Sequence, residues 1–554
     1  MFTIFAFCEI MSPMDIKTNK RISIGTTASI VTLIFGFAIV VFFIFSRERV
    51  NYNIDYTDSL IWAAASVESH SLINPDFWYA YIIPFSGSLL MIPLIKIFGV
   101  TYLTHELGMS LFALFFSVAI FFGGKAIGLT LRKSAFMTGL LLLLLMSSST
   151  TRMIFFGHVI HYSLAMVFTS IAFILLNRLD CLYEDKFSVS HMIYYVILLV
   201  WTCLCCLNGS SALMLFFCPI AGSMVLERLL DRNRITMSNV KMPLLRLIGM
   251  AGAALFGFSI KRYCIQPYFD SSYEESFSAL LGQDEWFWKS QGFLVRFSTL
   301  LTDDVYNGTP MLSMDGIFIL LRIVLAMLLL VIPFAALFFY KEINNRMMRL
   351  LLLDYWVLFI LTQLTYSVAK IQEANWRLGA LLGMSIIVSL VYLFWIIRKE
   401  FFCRFGYLVL AVFVISACSA AVTVVRLPSD NMLNGYERLA AVLDEHKLSY
   451  GYTDLWGGAN AITVMTDSRI KTRPVIYYGD GTYEIKRYQA QASWYEDQQG
   501  VDRYFAVVPN DIIAAFNESL VKQSTEQIPF EESTILVFDE NIFRDGKPLY
   551  MPDE

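Results

Sequence analysis

Long apolar runs constrain this chain more than any other feature. Ile24 to Ser46 and Ile317 to Tyr340 each exceed the ~20 apolar residues that cross a bilayer. In lipid every backbone N–H and C=O must be satisfied within its own segment or a closed barrel, so runs of this length fold as helices. Only 16% of the 554 residues are charged, against about 25% in soluble domains. Hydropathy places eleven spans at 24–46, 103–123, 134–148, 155–176, 189–207, 211–227, 246–260, 316–340, 350–369, 378–397 and 405–425. The first is too long for a signal-peptide core and has no small-residue cleavage site, so it is read as a retained anchor. A net charge of −4 argues against a nucleic-acid partner. The nine cysteines lie mostly in or beside spans and form neither a disulfide framework nor a metal-ligand spacing.

Lysine and arginine in the short loops set the orientation. Lys17, Lys20 and Arg21 precede the first span. Lys125/Arg132/Lys133, Arg228/Arg232/Arg234/Lys241/Arg246, Lys341/Arg346/Arg349 and Arg398/Lys399/Arg404 follow. All share the N-terminal, cytoplasmic side only if the apolar stretch 82–98 does not cross. Its Pro84, Gly87 and Pro93 suit a broken juxtamembrane helix. The expected organisation is a cytoplasmic segment 1–23, a transmembrane domain 24–425 with outer loops 47–102, 261–315 and 370–377, and an extracytoplasmic domain 426–554. Loop 261–315 carries Asp270, Glu274, Glu275, Asp284, Glu285, Asp303, Asp304 and Asp315, with Trp286-Phe-Trp288.

The tail is expected to be a small α/β module. A helix with one apolar face spans Asn434 to His446 and a second spans Asn510 to Leu520. Strands are expected at 448–452, 462–466, 473–478, 504–508 and 534–538.

Polar residues cluster at the outer face. Asn53-Ile-Asp55-Tyr-Thr-Asp58-Ser-Leu-Ile-Trp62 follows the first span. Two carboxylates beside a bilayer can abstract a proton from a hydroxyl within hydrogen-bond reach; helix capping by Asp58 is the alternative. His158 and His161, three apart, are expected on one helix face as a polar pair lining a cleft, too few ligands for a metal. Asn208-Gly-Ser-Ser211 is a tight turn with a capping residue, or a cleft edge. Arg377, in the short loop Ala374-Asn-Trp-Arg-Leu-Gly379, suits a phosphate through its guanidinium fork; snorkelling to the interface is the alternative. Arg322 lies inside a span and is expected to pair internally.

These features resemble the GT-C membrane glycosyltransferases, and among them the bacterial family 39, ArnT-like branch. The match is closest from Asp58-Ser-Leu-Ile-Trp62 through Asn74-Pro-Asp-Phe77 and covers roughly residues 24–425. The resemblance implies an α-helical polytopic plasma (inner) membrane protein of about eleven transmembrane helices, with an accessory extracytoplasmic domain. It further implies a polyprenyl-phosphate sugar donor and an envelope acceptor, which can be a lipid, glycan or protein. By the same resemblance Asp58 is the base, with Asp55 as second choice, although Ser59 stands where the family has glutamate. Arg377 maps to the late arginine that meets the donor phosphate, and Trp62, His158, His161 and Asn208 line the cleft. Transfer would invert the anomeric carbon. No cofactor is required, and a divalent cation between carboxylates and phosphate is compatible with the chemistry. The competing classes are a transporter or lipid flippase, which calls for internal repeats and mid-membrane charges, and a non-catalytic envelope scaffold.

Overall fold

A computed structural model describes residues 24–79, 87–182, 188–230, 237–266, 279–302, 308–370, 374–399, 403–429, 433–544 and 546–548. The expected N-terminal basic residues, Pro84, Arg232, Arg234 and five loop carboxylates (Asp270, Glu274, Glu275, Asp303, Asp304) lie outside them.

Ten helices among the described residues are long and apolar enough to cross a membrane. They are α1 (Ile24–Ser46), α4 (Tyr102–Ala126), α6 (His161–Leu182), α7 (Val189–Cys206), α8 (Ser210–Leu230), α9 (Met242–Ile265), α11 (Met314–Phe338), α12 (Arg346–Val368), α13 (Asn375–Ile396) and α14 (Cys403–Arg426). The expected span 134–148 is the 14-residue helix α5 (Leu131–Leu144), almost wholly buried and packed along α1. At 1.5 Å per residue it is about 21 Å long. Contact there is close because Gly36 and Gly139 face each other: a Cβ on Gly36 would stand 2.7 Å from the Gly139 carbonyl oxygen.

Two helices that do not span follow the first span. α2 (Ile54–Ser69) is capped by Asn53, whose side chain accepts the Asp55 N–H. α3 (Ser88–Phe98) has 11 residues, about 16 Å, half of what a crossing needs. A further helix, α10 (Gln283–Thr299), lies in the 261–315 loop, with Phe287, Trp288, Leu294 and Val295 exposed.

The basic loops gather at one end of the bundle. Asp180 there binds Arg246 at 2.6 Å and also Arg346, Arg346 meets Glu227 at 3.0 Å, and Lys399 meets Glu342. Lys133 donates to the Phe394 carbonyl at 3.0 Å. Segments 47–79, 87–102, 280–301, 369–370 and 374–378 gather at the other end with the C-terminal domain.

That domain contains a six-stranded mixed sheet, order β4-β3-β2-β6-β8-β7. The strands are β2 (Tyr450–Asp454), β3 (Lys471–Tyr477), β4 (Tyr483–Ile485), β6 (Tyr504–Pro509), β7 (Glu526–Phe530) and β8 (Ser533–Phe538). β2 pairs parallel with β3 on one side and β6 on the other. Alternation covers both faces: Phe505 and Val507 pack under helix α15 (Gly435–Glu445), while Tyr504, Ala506 and Val508 face Phe516 and Leu520. The stretch 462–466, expected as a strand, is the short helix α16 (Ala461–Met465). Its β-branched residues pack into the core, but the Gly457-Gly458 turn before it reverses the chain. The expected helix Asn510 to Leu520 is two short irregular turns, Ile513–Phe516 and Asn517–Val521.

The domain is fastened directly onto α2. Asn434 Nδ2 donates to the carbonyls of Arg49 and Tyr52 at 2.8 and 3.1 Å, and Arg49 pairs with Glu437. β1 (Phe77–Trp78) pairs antiparallel with β5 (Ala490–Gln491), and Gln491 Nε2 donates to Glu68 at 3.0 Å. Tyr102 N–H donates to Asp467 at 3.0 Å.

Candidate functional site

The end carrying the C-terminal domain holds Asp55, Asp58, Trp62, His158, His161, Asn208 and Arg377, in two neighbouring groups. The first is a cavity of about 100 Å³ lined by His161, Tyr162, Ser211, Met214, Leu215, Thr362, Thr365, Tyr366, Arg377 and Leu378. Arg377 reaches it from a short helical turn, Asn375–Leu378, which is tied down by Asn375 Nδ2 donating to Thr299 on α10 at 3.4 Å. Met214, Leu215 and Leu378 give it an apolar wall beside the guanidinium.

A second cation stands here that the sequence reading passed over. Lys261 is buried at the end of α9 and bears electrostatically on His161, as Arg377 does. Its stem lies across Gly209, whose absent Cβ would come 2.6 Å from Lys261 Cδ. Gly209 has φ +78°, so the Asn208-Gly-Ser turn needs glycine on both counts. Asn208 is buried in that turn, beside rather than in the cavity lining. The available signal was position: Lys261 and Arg262 are adjacent cations at the non-basic end of a span, as unusual there as Arg377.

The second group is α2. Asp58 is buried, within electrostatic range of Tyr52. Asp55 is half-buried, and burial pushes its carboxyl from the ordinary 3.8 up to about 6. Trp62 is buried beside Tyr79. None of the three lines the cavity. Segment 154–162 connects the two groups. A Cβ on Gly157 would lie 2.8 Å from Tyr56 Cζ, one on Gly87 would lie 2.8 Å from both Ser59 and Val159, and one on Gly379 would lie 2.5 Å from Ile154.

His158 and His161 do not share a helix face. His158 is extended (φ −152°, ψ 157°) after the turn Met153–Gly157, and α6 begins only at His161. The break follows from Ser148, which caps a separate short helix Ser149–Arg152. His161 lines the cavity, whereas His158 packs against Tyr56 with ring centroids 6.2 Å apart. Arg322 pairs internally: it donates to the Ser147 carbonyl and to Thr423, both at 2.7 Å, and to Ser419 at 3.2 Å. It thereby holds the turn that leads into segment 154–162.

No family model matches the chain, and no curated protein sequence matches it. Among solved structures, ArnT from Cupriavidus metallidurans in the apo state superposes on 92% of this chain and 97% of its own, with TM-score 0.54 and 12% identity. The chain has the fold of ArnT. The crystal structure of ArnT bound to undecaprenyl phosphate matches over 92% of this chain and 98% of its own, with TM-score 0.53 and 13% identity. With ten apolar spans among the described residues in an ArnT-like fold and a strand-containing C-terminal domain, this is a multi-pass membrane protein.

Proposed function

We propose that this chain is a membrane glycosyltransferase that moves a sugar from a polyprenyl-phosphate donor to an acceptor hydroxyl. The observation that carries the reading is the cavity in which Arg377 sits against an apolar wall, with Lys261 alongside. An arginine beside an apolar cavity wall, with a lysine nearby, suits a phosphate monoester or diester carrying an apolar chain. ArnT, whose fold this chain has, is solved with such a lipid, undecaprenyl phosphate.

The donor phosphate is proposed to rest against Arg377 and Lys261, its lipid chain beside Met214 and Leu215. Asp58 takes the proton from the acceptor hydroxyl, whose oxygen bonds to the anomeric carbon with inversion. The bond from that carbon to the phosphate oxygen breaks, and the phosphate leaves on its lipid with its charge held by the two cations. Asp55 is the second candidate for base. The step needs no cofactor and leaves room for a divalent cation. The acceptor is an envelope molecule, and the site is taken to face away from the cytoplasm because the basic loops gather at the opposite end.

Titrating purified protein with undecaprenyl phosphate tests the phosphate site. Arg377→Ala should weaken binding by about 10- to 100-fold, the scale of one charge-assisted contact. Arg377→Lys should not restore it, because a point charge lacks the planar fork. A lysine variant that binds as wild type does would reduce Arg377 to a snorkelling role.

A further inference from the structure

Helix α10 presents three different faces. Lys289, Phe293, Phe297 and the following Leu300 recur at i, i+4, i+8 and i+11 and are buried against the bundle. Phe287, Trp288, Gln291, Leu294 and Val295 recur at i, i+1, i+4, i+7 and i+8, and all five are exposed. Trp288 is 70% exposed and Phe287 61%. Glu285 and Arg296, also exposed, fall on the strip between these faces. The helix thus has one apolar face on the protein, a second that nothing among the described residues covers, and a charged edge.

The depth of α10 is fixed by the ends of two spans. Just before it, Leu281 N–H donates to the Val368 carbonyl at 2.9 Å and Lys370 N–H to the Ala279 carbonyl at 2.8 Å, a short antiparallel bridge at the end of α12. Lys289 Nζ donates at 3.1 Å to the Ala369 carbonyl, one of those the end of α12 leaves open. At its other end Thr299 is held by Asn375, the first residue of α13. Both ends of α10 therefore lie at the level where α12 stops and α13 starts, the boundary between hydrocarbon and water.

The uncovered face is continuous with a lipid-facing one. α10 packs against α11. Met311 and Leu312 are exposed where the chain enters that span, and Ile317, Leu320, Val324 and Met327 are exposed along it. Exposed apolar side chains on a span meet lipid, and tryptophan at a span's end sits at headgroup level. A helix with an apolar face and a charged edge at that depth lies in the plane of the interface.

The buried face of α10 reaches the Arg377 cavity. Phe293 meets Phe359 and Tyr366 edge-on, with ring centroids 5.6 and 5.9 Å away, and Tyr366 lines the cavity. Asn375, bound to Thr299, stands two residues before Arg377 in the same short helical turn. α10 is therefore packed on one wall of the cavity and hydrogen-bonded to the turn that carries its arginine.

We propose that α10 is an interfacial anchor: Phe287, Trp288, Leu294 and Val295 sit in the lipid at the membrane surface, and this seating holds Tyr366 and the Arg377 turn in position for a ligand that arrives within the bilayer. The seating stands without the transferase reading; that the ligand is the phosphate-bearing donor rests on it.

Full-length protein in phosphatidylcholine nanodiscs tests both halves. Emission from Trp288, taken as the difference between wild type and Trp288→Phe, should be quenched by lipids brominated near the headgroup more than by lipids brominated near the chain end. It should resist aqueous iodide. Phe287→Gln combined with Val295→Gln should keep the wild-type Tm yet weaken undecaprenyl phosphate binding by about three- to tenfold, the scale of changes that reach a site through packed neighbours. Glu285→Gln, on the charged edge, should bind as wild type does. The proposal fails if Trp288 emission is open to iodide and untouched by brominated lipid, or if the double variant binds as tightly as wild type. Emission shielded from both quenchers would place a second protein on this face and overturn the lipid assignment. If wild type itself binds no undecaprenyl phosphate, the donor reading falls, and the quenching pattern alone decides the seating.

Discussion

Lys261 lies across the bare backbone of Gly209, its Cδ 2.6 Å from where a Cβ would be. This packing holds a lysine within electrostatic range of His161, which lines the Arg377 cavity, and it depends on a glycine at φ +78°. Gly209→Ala therefore meets two penalties, a left-handed backbone and a displaced lysine stem. We expect a loss of about 1–3 kcal/mol in stability, seen as a lower Tm. Weaker undecaprenyl phosphate binding should accompany it. A variant with wild-type Tm and wild-type binding would mean that Lys261 relocates freely and does not serve the phosphate.

Asp58→Asn should keep the fold and the affinity for undecaprenyl phosphate, since the carboxylate does not line the cavity. Its transfer rate should fall by roughly 10²-fold or more, the scale of one general base. Single-turnover transfer measured on the membrane-inserted variant separates the two effects. If Asp58→Asn and Asp55→Asn are both fully active, the base lies on another element.

Asp55 provides a pH-dependent check. Its folded-state pKa of about 6 lies above the ordinary 3.8, so the folded protein holds the proton longer than the unfolded chain. The associated stability is fully present below pH 3.8 and is lost as pH rises through about 6. Asp55→Asn should therefore raise Tm relative to wild type at pH 7–8, and the gap should close toward pH 4. A shift of about two units corresponds to ~3 kcal/mol, and partial exposure reduces this to about 1–2 kcal/mol. A Tm difference independent of pH would show that Asp55 is better solvated than its burial implies.

The spans were legible from the sequence because apolar run length is a strong signal. Where that signal failed, the reason was local. Ser148, Gly157 and the extended His158 break an apolar stretch that hydropathy alone joins, so α6 starts six residues later than expected. In the tail, Ile462 to Thr466 has strand composition, and only the Gly457-Gly458 turn and its docking on α2 make it helical. Asp58 and Arg377 could be chosen individually because each stands out against its surroundings. Lys261 was missed because its meaning comes from a partner glycine fifty-two residues away. The attachment of the C-terminal domain to α2 through Asn434, Gln489 and Gln491 was not legible either. Single hydrogen bonds between distant segments leave no periodic trace.

The central claim is tested most directly by turnover. Purified protein in nanodiscs, given a panel of undecaprenyl-phosphate-linked hexoses and pentoses with an envelope extract as acceptor, should release undecaprenyl phosphate from at least one donor. Release should depend on the extract, and it should fall by about 10²-fold or more in both Asp58→Asn and Arg377→Ala. Absence of release across the panel, or equal release by wild type and both variants, would contradict the account.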